Sequence, residues 1–427
     1  MRVAKRRIST AGRVMTVVAA ITALAVVAGG VAVAVLRLRA PLPEPDVRVT
    51  TQASLVLTQG TRPAVPVPSG GSFVLKTSGG TTLGALADTA SRPIGSVAKV
   101  MTALVVLQAH PLAAGEDGPA LTLTAQDETF YADTVAAGGS AVPVQAGESL
   151  SERQLLQALL LPSANNIAET LAVWTSGSVD AFVARENTEA QTRHLEATHF
   201  EDPTGVSAGT VSSADDLVAL ARAALTVPAL ADVVRTQTAT LPDGTVLRNL
   251  DIMLSRDGDW IGLKTGWTGA AGGCLLFAAQ HTYASGAPPL TVLGAALGQQ
   301  PDAGVDADHP ELGGAFAAAR DSVAAAFAGY AAVDLAGVTP SVSGSVSEPW
   351  GAHAAVAARP LHATAVVAIG DPMALETVRA HPGPAPPRGA VVAYVRGTQA
   401  GGAALSWPVV TVDAVAGPSW WWHLINA

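Results

Sequence analysis

The stretch RPIGSVAKVMTAL, residues 92–104, places a serine and a lysine in an otherwise largely apolar segment. From Val97 onward its residues predict a buried helix. Ser96 and Lys99 are three positions apart, and positions i and i+3 lie on the same face of a helix. The amine of Lys99 is therefore expected beside the Ser96 hydroxyl, where the positive end of the helix favours an alkoxide or a developing oxyanion. The alternative is an N-cap serine and a lysine that extends its amine to solvent.

The lysines of this chain are few. Lys5, Lys76, Lys99 and Lys264 are the only lysines among 25 basic residues. Arginine keeps its proton at ordinary pH, whereas a buried lysine can lose it. Of lysine and arginine, only lysine can therefore supply a general base, which suggests a specific use for Lys99.

Two further motifs each occur once. Lys264 begins K-T-G within GLKTGWTG, a predicted strand whose glycine lets a substrate backbone approach closely. Ser163-Ala164-Asn165 is an S-x-N in a turn between two predicted helices, and it follows Ser96 by 67 residues and precedes Lys264 by 101. Each motif alone also fits an ordinary cap or strand end.

In this order the three motifs resemble those of the serine DD-peptidases and the related serine β-lactamases. The surrounding stretches resemble the D-alanyl-D-alanine carboxypeptidases of that superfamily over about residues 65–330. These stretches are IGSVAKVMTALVVL, LLLPSANNIAETLA, FEDPTGVSAGTVSSADDLVALARA and GLKTGWTGAAGGCLLFAA.

The resemblance implies that Ser96 is the nucleophile, Lys99 its general base and Ser163 a proton relay to the leaving amine. The implied substrate-binding residues are Asn165, Arg248, Lys264, Thr265, Gly266 and Trp267. Asn165 would bind the substrate amide, and Lys264 with Thr265 its terminal carboxylate. The charge of Lys264 would also help to keep Lys99 neutral.

Two of these assignments depart from the family pattern. The spacing of Arg248, a candidate second carboxylate ligand, to K-T-G differs by one residue from that of the relatives. Trp267 is bulkier than the residue usually found there, and it either shapes the subsite or packs. Its backbone N–H and that of Ser96 would form the oxyanion hole. Asn166 and Glu169 are expected to be structural.

The implied activity is removal of the terminal D-alanine from peptidoglycan stem peptides, with β-lactams as acylating inhibitors. A β-lactamase is the alternative enzyme, although HFEDPTGVS contains Glu201 without the E-x-x-L-N of the commonest class. The sequence also leaves open a transpeptidase and a catalytically silent cell-wall scaffold. We expect no metal or other cofactor, and the nine scattered histidines disfavour a zinc peptidase.

The implied fold class is α+β, a DD-peptidase/β-lactamase-like sandwich of an antiparallel sheet flanked by helices, with a helical subdomain. Short strands between Pro and Gly turns then predict a small all-β C-terminal domain. The expected division is residues 1–40 as cytoplasmic tail and anchor, 41–64 as a Pro-rich tether, 65–333 as the catalytic domain and 334–427 as the β domain.

Residues 1–40 carry seven cations and no acid, and 23 uncharged residues run from Val14 to Leu36. That run is about 34 Å of helix, enough to span a bilayer. Five cations precede it and two follow, so the positive-inside rule places the remaining chain outside the cytoplasm. A signal peptide cleaved after Ala34 is the alternative, and either places the main body outside.

The exported part is acidic. The whole chain has a net charge of −9 and the first 40 residues have +7, which leaves −16 for residues 41–427. This excess disfavours nucleic acid as a partner. The single cysteine, Cys274, permits no internal disulfide and is expected to be a buried small residue. Trp420, Trp421 and Trp422 either sit at a membrane interface or pack on the β domain or tether; as a strand they would face both sides, which favours packing.

Overall fold

Much of the chain surrounds a five-stranded antiparallel sheet in this computed structural model, which describes residues 10–426. Its strands, in spatial order, are Trp260–Thr268, Gly272–His281, Leu290–Gln299, Ser72–Thr77 and Thr82–Leu86. The two apolar runs of SFVLKTSGGTTLGAL pair as a hairpin, and WIGLKTG pairs with GGCLLFAAQ. The strand that carries K-T-G therefore forms an edge of this sheet.

Both faces of the sheet are buried, because helices cover each of them. Along the strand Gly272–His281, Cys274 and Leu276 belong to one core cluster, and Leu275 and Phe277 belong to another. Successive side chains of a strand point to opposite faces, so an uninterrupted apolar run is what a doubly covered strand requires. Cys274 is completely buried, as expected, and burial raises the pKa of its thiol to about 11.

The predicted helices are present. The Ser151–Gln154 capping box closes through both reciprocal bonds, and the helix it starts ends just before Pro162. Between the first helix and the C-terminal one, the α-helices are Lys99–Ala109, Ala125–Ala136, Glu152–Leu160, Asn165–Ser176, Val179–Thr192, Ala214–Leu225, Pro228–Val234, Met253–Arg256 and Pro310–Ala328. Two-stranded pairs join Arg92–Pro93 to Val211–Ser212, Ala120–Thr122 to Ser149–Ser151, Thr238–Thr240 to Val246–Arg248, and Tyr330–Asp334 to Thr364–Ala368.

The C-terminal part forms a seven-stranded sheet, as the short apolar runs predict. Its order is Asp46–Thr51, Val342–Ser347, His353–Ala358, Ala404–Thr411, Val391–Thr398, Pro372–Arg379 and Ser54–Val56. Both outer strands come from the segment 41–64, so this segment, expected to be a Pro-rich tether, is part of the sheet. Alternation in DVRVTT buries Val47 in the β core, and the prolines of the segment lie outside both strands.

The first described element is the helix Thr10–Leu38, in which an 18-residue window has a mean hydropathy of 2.5 and no buried residue. The expected cytoplasmic cations Arg2, Lys5, Arg6 and Arg7 lie outside the described residues. The C-terminal end of this helix contacts a C-terminal helix, Trp420–Asn426. The three tryptophans are therefore helical, not extended. Trp422 packs edge-on against Trp350, with 5.3 Å between ring centroids.

Candidate active site

Ser96 and Lys99 meet where a short 3-10 helix passes into an α-helix. The 3-10 helix is Gly95–Ala98, and the α-helix begins at Lys99. Lys99 Nζ lies 2.9 Å from Ser96 Oγ, as the i, i+3 spacing predicts. Lys99 is completely buried, whereas Ser96 is partly exposed. Solvent therefore contacts the serine but not the lysine.

The Lys99 amine has two further partners, which come from distant parts of the chain. Asn165 Oδ1 lies 2.7 Å from Nζ, and the carbonyl oxygen of Thr204 lies 2.8 Å from it. Both oxygens only accept hydrogen bonds, and a neutral amine has two hydrogens and one lone pair. When the hydrogens go to these two acceptors, the lone pair faces the Ser96 hydroxyl. The arrangement suits a base that takes the Ser96 proton.

The environment of Lys99 favours this neutral form. Burial lowers the pKa of Lys99 well below its usual value, and the positive charge of Lys264 lowers it further. The carboxylates of Asp202 and Glu169 act in the opposite direction. Burial is the largest of these influences, so the lowered pKa favours the neutral amine that a base requires.

The Thr204 carbonyl is held in place by Asp202, the acid of the D-P-T-G segment. Asp202 Oδ1 accepts from the backbone N–H groups of Thr204 and Gly205, each at 2.7 Å, and Oδ2 accepts from Ser207 N at 2.9 Å. Burial would raise the pKa of Asp202, but these bonds and those from the Thr204 and Thr210 hydroxyls lower it overall. An ionised Asp202 therefore orders the turn that presents Thr204 to Lys99.

Ser163 lies in the turn between the helices Glu152–Leu160 and Asn165–Ser176 and has a strained backbone. Its φ is +67°, in the left-handed region that non-glycine residues rarely adopt. The side chain is buried, and its Oγ has no hydrogen-bond partner within residues 10–426. An unpaired buried hydroxyl costs about 1–3 kcal/mol. Strain and an unpaired polar atom on one residue are typical of a functional position.

Lys264 is the second buried lysine, with 1% of its surface exposed. Its Nζ donates to the carbonyl oxygen of Thr265 at 2.9 Å. Burial lowers the pKa of Lys264 to about 7, against the opposing charge of Asp251. Asp251 is also buried; its Oδ2 accepts from Trp260 Nε1 at 2.8 Å, and burial raises its pKa to about 6. The amine keeps donor capacity for an anionic ligand.

Gly266 lets the K-T-G strand approach the backbone that carries Ser96. A Cβ at this position would lie 2.9 Å from the carbonyl oxygen of Ile94 and from the amide nitrogens of Ser96 and Val97. From the other side, a Cβ on Gly95 would lie 3.0 Å from the Trp267 amide nitrogen. The two amides expected to form an oxyanion hole are therefore close together, and only glycines permit that approach.

The other residues considered in the sequence make no hydrogen bond to Ser96 or Lys99 within the described residues. Arg248 is exposed at the end of the strand Val246–Arg248, and no hydrogen bond or ion pair within the described residues joins it to the site. Trp267 is 50% exposed, so its ring does not pack in the core. Glu201 binds the Ser207 hydroxyl in its own turn. Asn166 is structural, as expected, because its side-chain amide bonds both backbone groups of Val142.

Sequence reasoning assigned no role to Asp202, Thr204 or Glu186. Glu186 is completely buried beneath the helix of Lys99 and bonds Thr102. The spacing was a signal in the sequence, because Glu186 is four residues after Phe182 and four before Ala190, as on one face of a helix. The structure buries all three residues.

Comparison with known proteins shows the family of the chain. A family model described as D-alanyl-D-alanine carboxypeptidase matches residues 60–290. The chain belongs to this family. A D-alanyl-D-alanine carboxypeptidase of Mycobacterium tuberculosis is 34% identical over 217 residues, which cover 49% of this chain and 70% of the relative. One from a Streptomyces species is 32% identical over 254 residues, 54% of this chain and 85% of the relative.

A relative with a different activity in its name is covered over a smaller share of its length. The D-alanyl-D-alanine endopeptidase of Escherichia coli is 33% identical over 195 residues, 43% of this chain and 58% of the relative. Among solved structures, the Streptomyces K15 DD-transpeptidase has a TM-score of 0.51 at 28% identity, covering 64% of this chain and 99% of that one. A penicillin-binding protein homologue from Mycobacterium tuberculosis has a TM-score of 0.52 at 28% identity, covering 63% of this chain and 96% of that one.

These findings confirm the predicted α+β DD-peptidase fold, with its C-terminal β part, and the predicted activity. This member of the family is a serine-type D-alanyl-D-alanine carboxypeptidase. The names of the relatives from Mycobacterium tuberculosis and the Streptomyces species agree with that activity and not with the alternative of a β-lactamase.

Proposed function

We propose that this carboxypeptidase cleaves stem peptides ending in D-alanyl-D-alanine through an acyl-enzyme on Ser96. Lys99 Nζ accepts the proton of Ser96 as Oγ bonds to the carbonyl carbon of the penultimate D-alanine. The observation that carries this assignment is the pair of fixed acceptors on Lys99, Asn165 Oδ1 and the Thr204 carbonyl, which leave its lone pair for Ser96. The resulting oxyanion binds the N–H groups of Ser96 and Trp267.

Collapse of this intermediate breaks the peptide bond. The proton held by Lys99 passes to the leaving amine, with the unpaired hydroxyl of Ser163 as relay, and D-alanine departs. Water then attacks the ester, its proton returns through the same groups to Ser96 Oγ, and the shortened peptide is released. Ser163 makes no hydrogen bond to Ser96 or Lys99 within the described residues, so substrate binding must complete the relay.

We propose the following roles for the substrate-binding residues. Lys264, buried and with spare donors, binds the terminal carboxylate together with the hydroxyl of Thr265. Asn165 Nδ2 donates to the substrate amide, because its Oδ1 is already used by Lys99. Trp267, half exposed beside Ser96, shapes the subsite for the acyl side. Arg248 is a second carboxylate ligand only if its exposed side chain reaches the site with substrate bound.

The intact mass of residues 41–427 after mixing with benzylpenicillin tests Ser96 as nucleophile. We expect a long-lived adduct of one penicilloyl group, absent in Ser96→Ala and present in the control Ser91→Ala, which removes an exposed hydroxyl five residues away. An adduct that persists in Ser96→Ala contradicts the assignment. Rapid turnover to penicilloate would indicate a β-lactamase. The absence of both an adduct and turnover would indicate a scaffold. Release of free D-alanine from a pentapeptide confirms the carboxypeptidase reaction.

We also propose that the helix Thr10–Leu38 anchors the enzyme in the cell membrane with its catalytic part on the extracytoplasmic side. Arg37 Nη1 donates to the carbonyl of Leu424 at 2.7 Å, which ties the C-terminal helix to the outer end of the anchor. Trp420 and Trp421 are 66% and 57% exposed at that level, as expected of aromatic residues at a membrane interface. The implied partners are the membrane, peptidoglycan and β-lactams, with no nucleic acid.

Fractionation and terminal sequencing of the full chain test this placement. We expect the enzyme in the membrane fraction with residues 1–40 retained, and its catalytic part accessible to protease from outside. Recovery of a shortened soluble chain would show that the N-terminal segment is a cleaved signal. Deletion of residues 418–427 from a chain without the anchor tests the proposed contact of the tryptophans with the membrane. Unchanged binding to vesicles would contradict that contact.

A further inference from the structure

Glu186 is an acid in an unusual place for a charge. It lies on the helix Val179–Thr192, is completely buried, and packs against the helix that begins with Lys99. Its Oε1 lies 2.8 Å from Thr102 Oγ1, and its Oε2 has no hydrogen-bond partner within residues 10–426. An ionised carboxylate with an unpaired buried oxygen is costly, whereas a neutral acid tolerates that position far better.

The count of hydrogens around Thr102 identifies the protonation state. The Thr102 hydroxyl lies 2.8 Å from Glu186 Oε1 and 2.7 Å from the carbonyl oxygen of Pro203. A hydroxyl has one hydrogen, and a carbonyl oxygen has none to give. Both contacts are hydrogen bonds in full only if Thr102 donates to Pro203 and Glu186 donates to Thr102. Burial also raises the pKa of Glu186 well above its usual value.

This chain of bonds ends one residue before the carbonyl that Lys99 binds. Thr102 follows Lys99 by three residues, on the same face of one helix. The carbonyl of Pro203 accepts from Thr102, and the next carbonyl, that of Thr204, accepts from Lys99 Nζ at 2.8 Å. The helix thus holds two adjacent carbonyls of the same segment. If Glu186 ionised, it would compete for the single Thr102 hydrogen and release the Pro203 carbonyl.

We propose that Glu186 is a positioning residue that works as a neutral acid. Its protonated carboxyl group donates a hydrogen bond to Thr102, and Thr102 then fixes the Pro203–Thr204 segment against Lys99. This inference rests on the proposed role of Lys99 as the base. It adds a group that touches neither substrate nor Ser96 and that controls where the base points.

Three elements next to the helix of Glu186 carry charged groups. The loop that follows its helix contributes Asp202, whose negative charge further disfavours ionisation of Glu186. The helix of Thr102 contributes Lys99, and the helix Asn165–Ser176 contributes Glu169, which interacts with both Asp202 and Lys99. A negative Glu186 would join a set in which carboxylates already favour the protonated, inactive form of Lys99.

Infrared difference spectra test the protonation state without relying on activity. Subtracting the spectrum of Glu186→Gln from that of the wild type at neutral pH should leave the C=O band of one protonated carboxylic acid. Glu186→Met provides a second subtraction should the glutamine variant not fold. Carboxylate bands in place of the acid band would overturn the proposal, because Thr102 would then donate to Glu186.

Acylation by benzylpenicillin as a function of pH tests the positioning role. Gln can still donate to Thr102, so Glu186→Gln should stay within about twofold of the wild type and lose less rate at alkaline pH. Met cannot donate, so Glu186→Met should acylate about three- to tenfold more slowly, as expected for the loss of one buried hydrogen bond. The acid limb of its pH–rate profile should also be shifted. Glu152→Gln is the matched control, a second completely buried glutamate, and should leave the profile unchanged.

Two outcomes separate the possible failures. If Glu186→Gln and Glu186→Met change only the melting temperature, while both acylate with the wild-type pH profile, Glu186 is merely structural and the inference is wrong. If Ser96→Ala still forms the adduct, the proposed function itself is wrong, whatever the infrared spectra show.

Discussion

Replacing Gly266 with alanine would place a methyl group against the backbone of the nucleophile. Its Cβ would lie 2.9 Å from the Ile94 carbonyl oxygen and from the amide nitrogens of Ser96 and Val97, whereas ordinary contact begins at 3.4 Å. All three atoms are backbone, so no side chain can rotate away. The K-T-G strand and the Ser96 turn must separate by about 0.5 Å, the difference between these two distances.

That displacement is large for a catalytic site. Catalytic groups need to be held within about 0.5 Å of their productive geometry. The separation moves the Trp267 amide away from the Ser96 amide, and loss of one oxyanion donor costs about 10²–10³ in rate. We therefore expect Gly266→Ala to lower the acylation rate constant about 100-fold, equivalent to about 2.7 kcal/mol of transition-state stabilisation.

The assay is the second-order rate constant for acylation by benzylpenicillin, followed by intact mass. Gly269→Ala is the matched control, because a Cβ at Gly269, three residues further along, meets nothing within 4 Å. It should acylate within about twofold of the wild type, as expected for a surface change. Melting temperatures verify that both variants are folded. A folded Gly266→Ala enzyme that acylates as fast as Gly269→Ala would refute the reasoning.

Three further outcomes are expected. Lys99→Arg should abolish acylation by intact mass, since guanidinium keeps its proton and cannot act as the base; an adduct would contradict that role. For a peptide with a free terminal carboxylate, kcat/KM should fall at acid pH because Lys99 becomes protonated. It should fall again above about pH 7, because burial lowers the pKa of Lys264 to about 7 and the neutral amine does not hold a carboxylate. An ester of the same peptide should lack the alkaline fall. Burial raises the pKa of Glu152 to about 7, so the folded state loses stability as the pH rises from the pKa of this group in the unfolded chain to its pKa in the folded one. Glu152→Gln should therefore raise the melting temperature more at pH 8 than at pH 5. Equal shifts at both pH values would contradict this.

The relation between Ser96 and Lys99 could be predicted because it is local. Three residues along a helix bring two side chains to one face, whatever the remaining chain does. The helices around S-x-N, with their capping box, and the K-T-G strand were predictable for the same reason. Period and caps depend only on neighbours in sequence.

Local patterns misled where pairing partners were distant. Proline content in segment 41–64 predicted a tether, yet two of its stretches are the outer strands of the C-terminal sheet. An edge strand needs few ladder bonds, so it can be short and flanked by prolines. Arg248 stays a candidate from the resemblance, although its spacing to K-T-G differs by one residue, and the structure places its side chain exposed on a short hairpin.

The chemistry of the base was decided only by the tertiary structure. The sequence predicts a buried helix at Lys99 but leaves open whether its amine reaches solvent. It does not predict the acceptors from Asn165 and Thr204, which lie 66 and 105 residues away. Burial and the charge of Lys264 lower the pKa of Lys99, and both arise from packing. Glu186 shows the same limit, because a lone glutamate on a helix gives no sign of its protonation. Desolvation and the number of available hydrogens determine that state, and both depend on residues that only folding brings together.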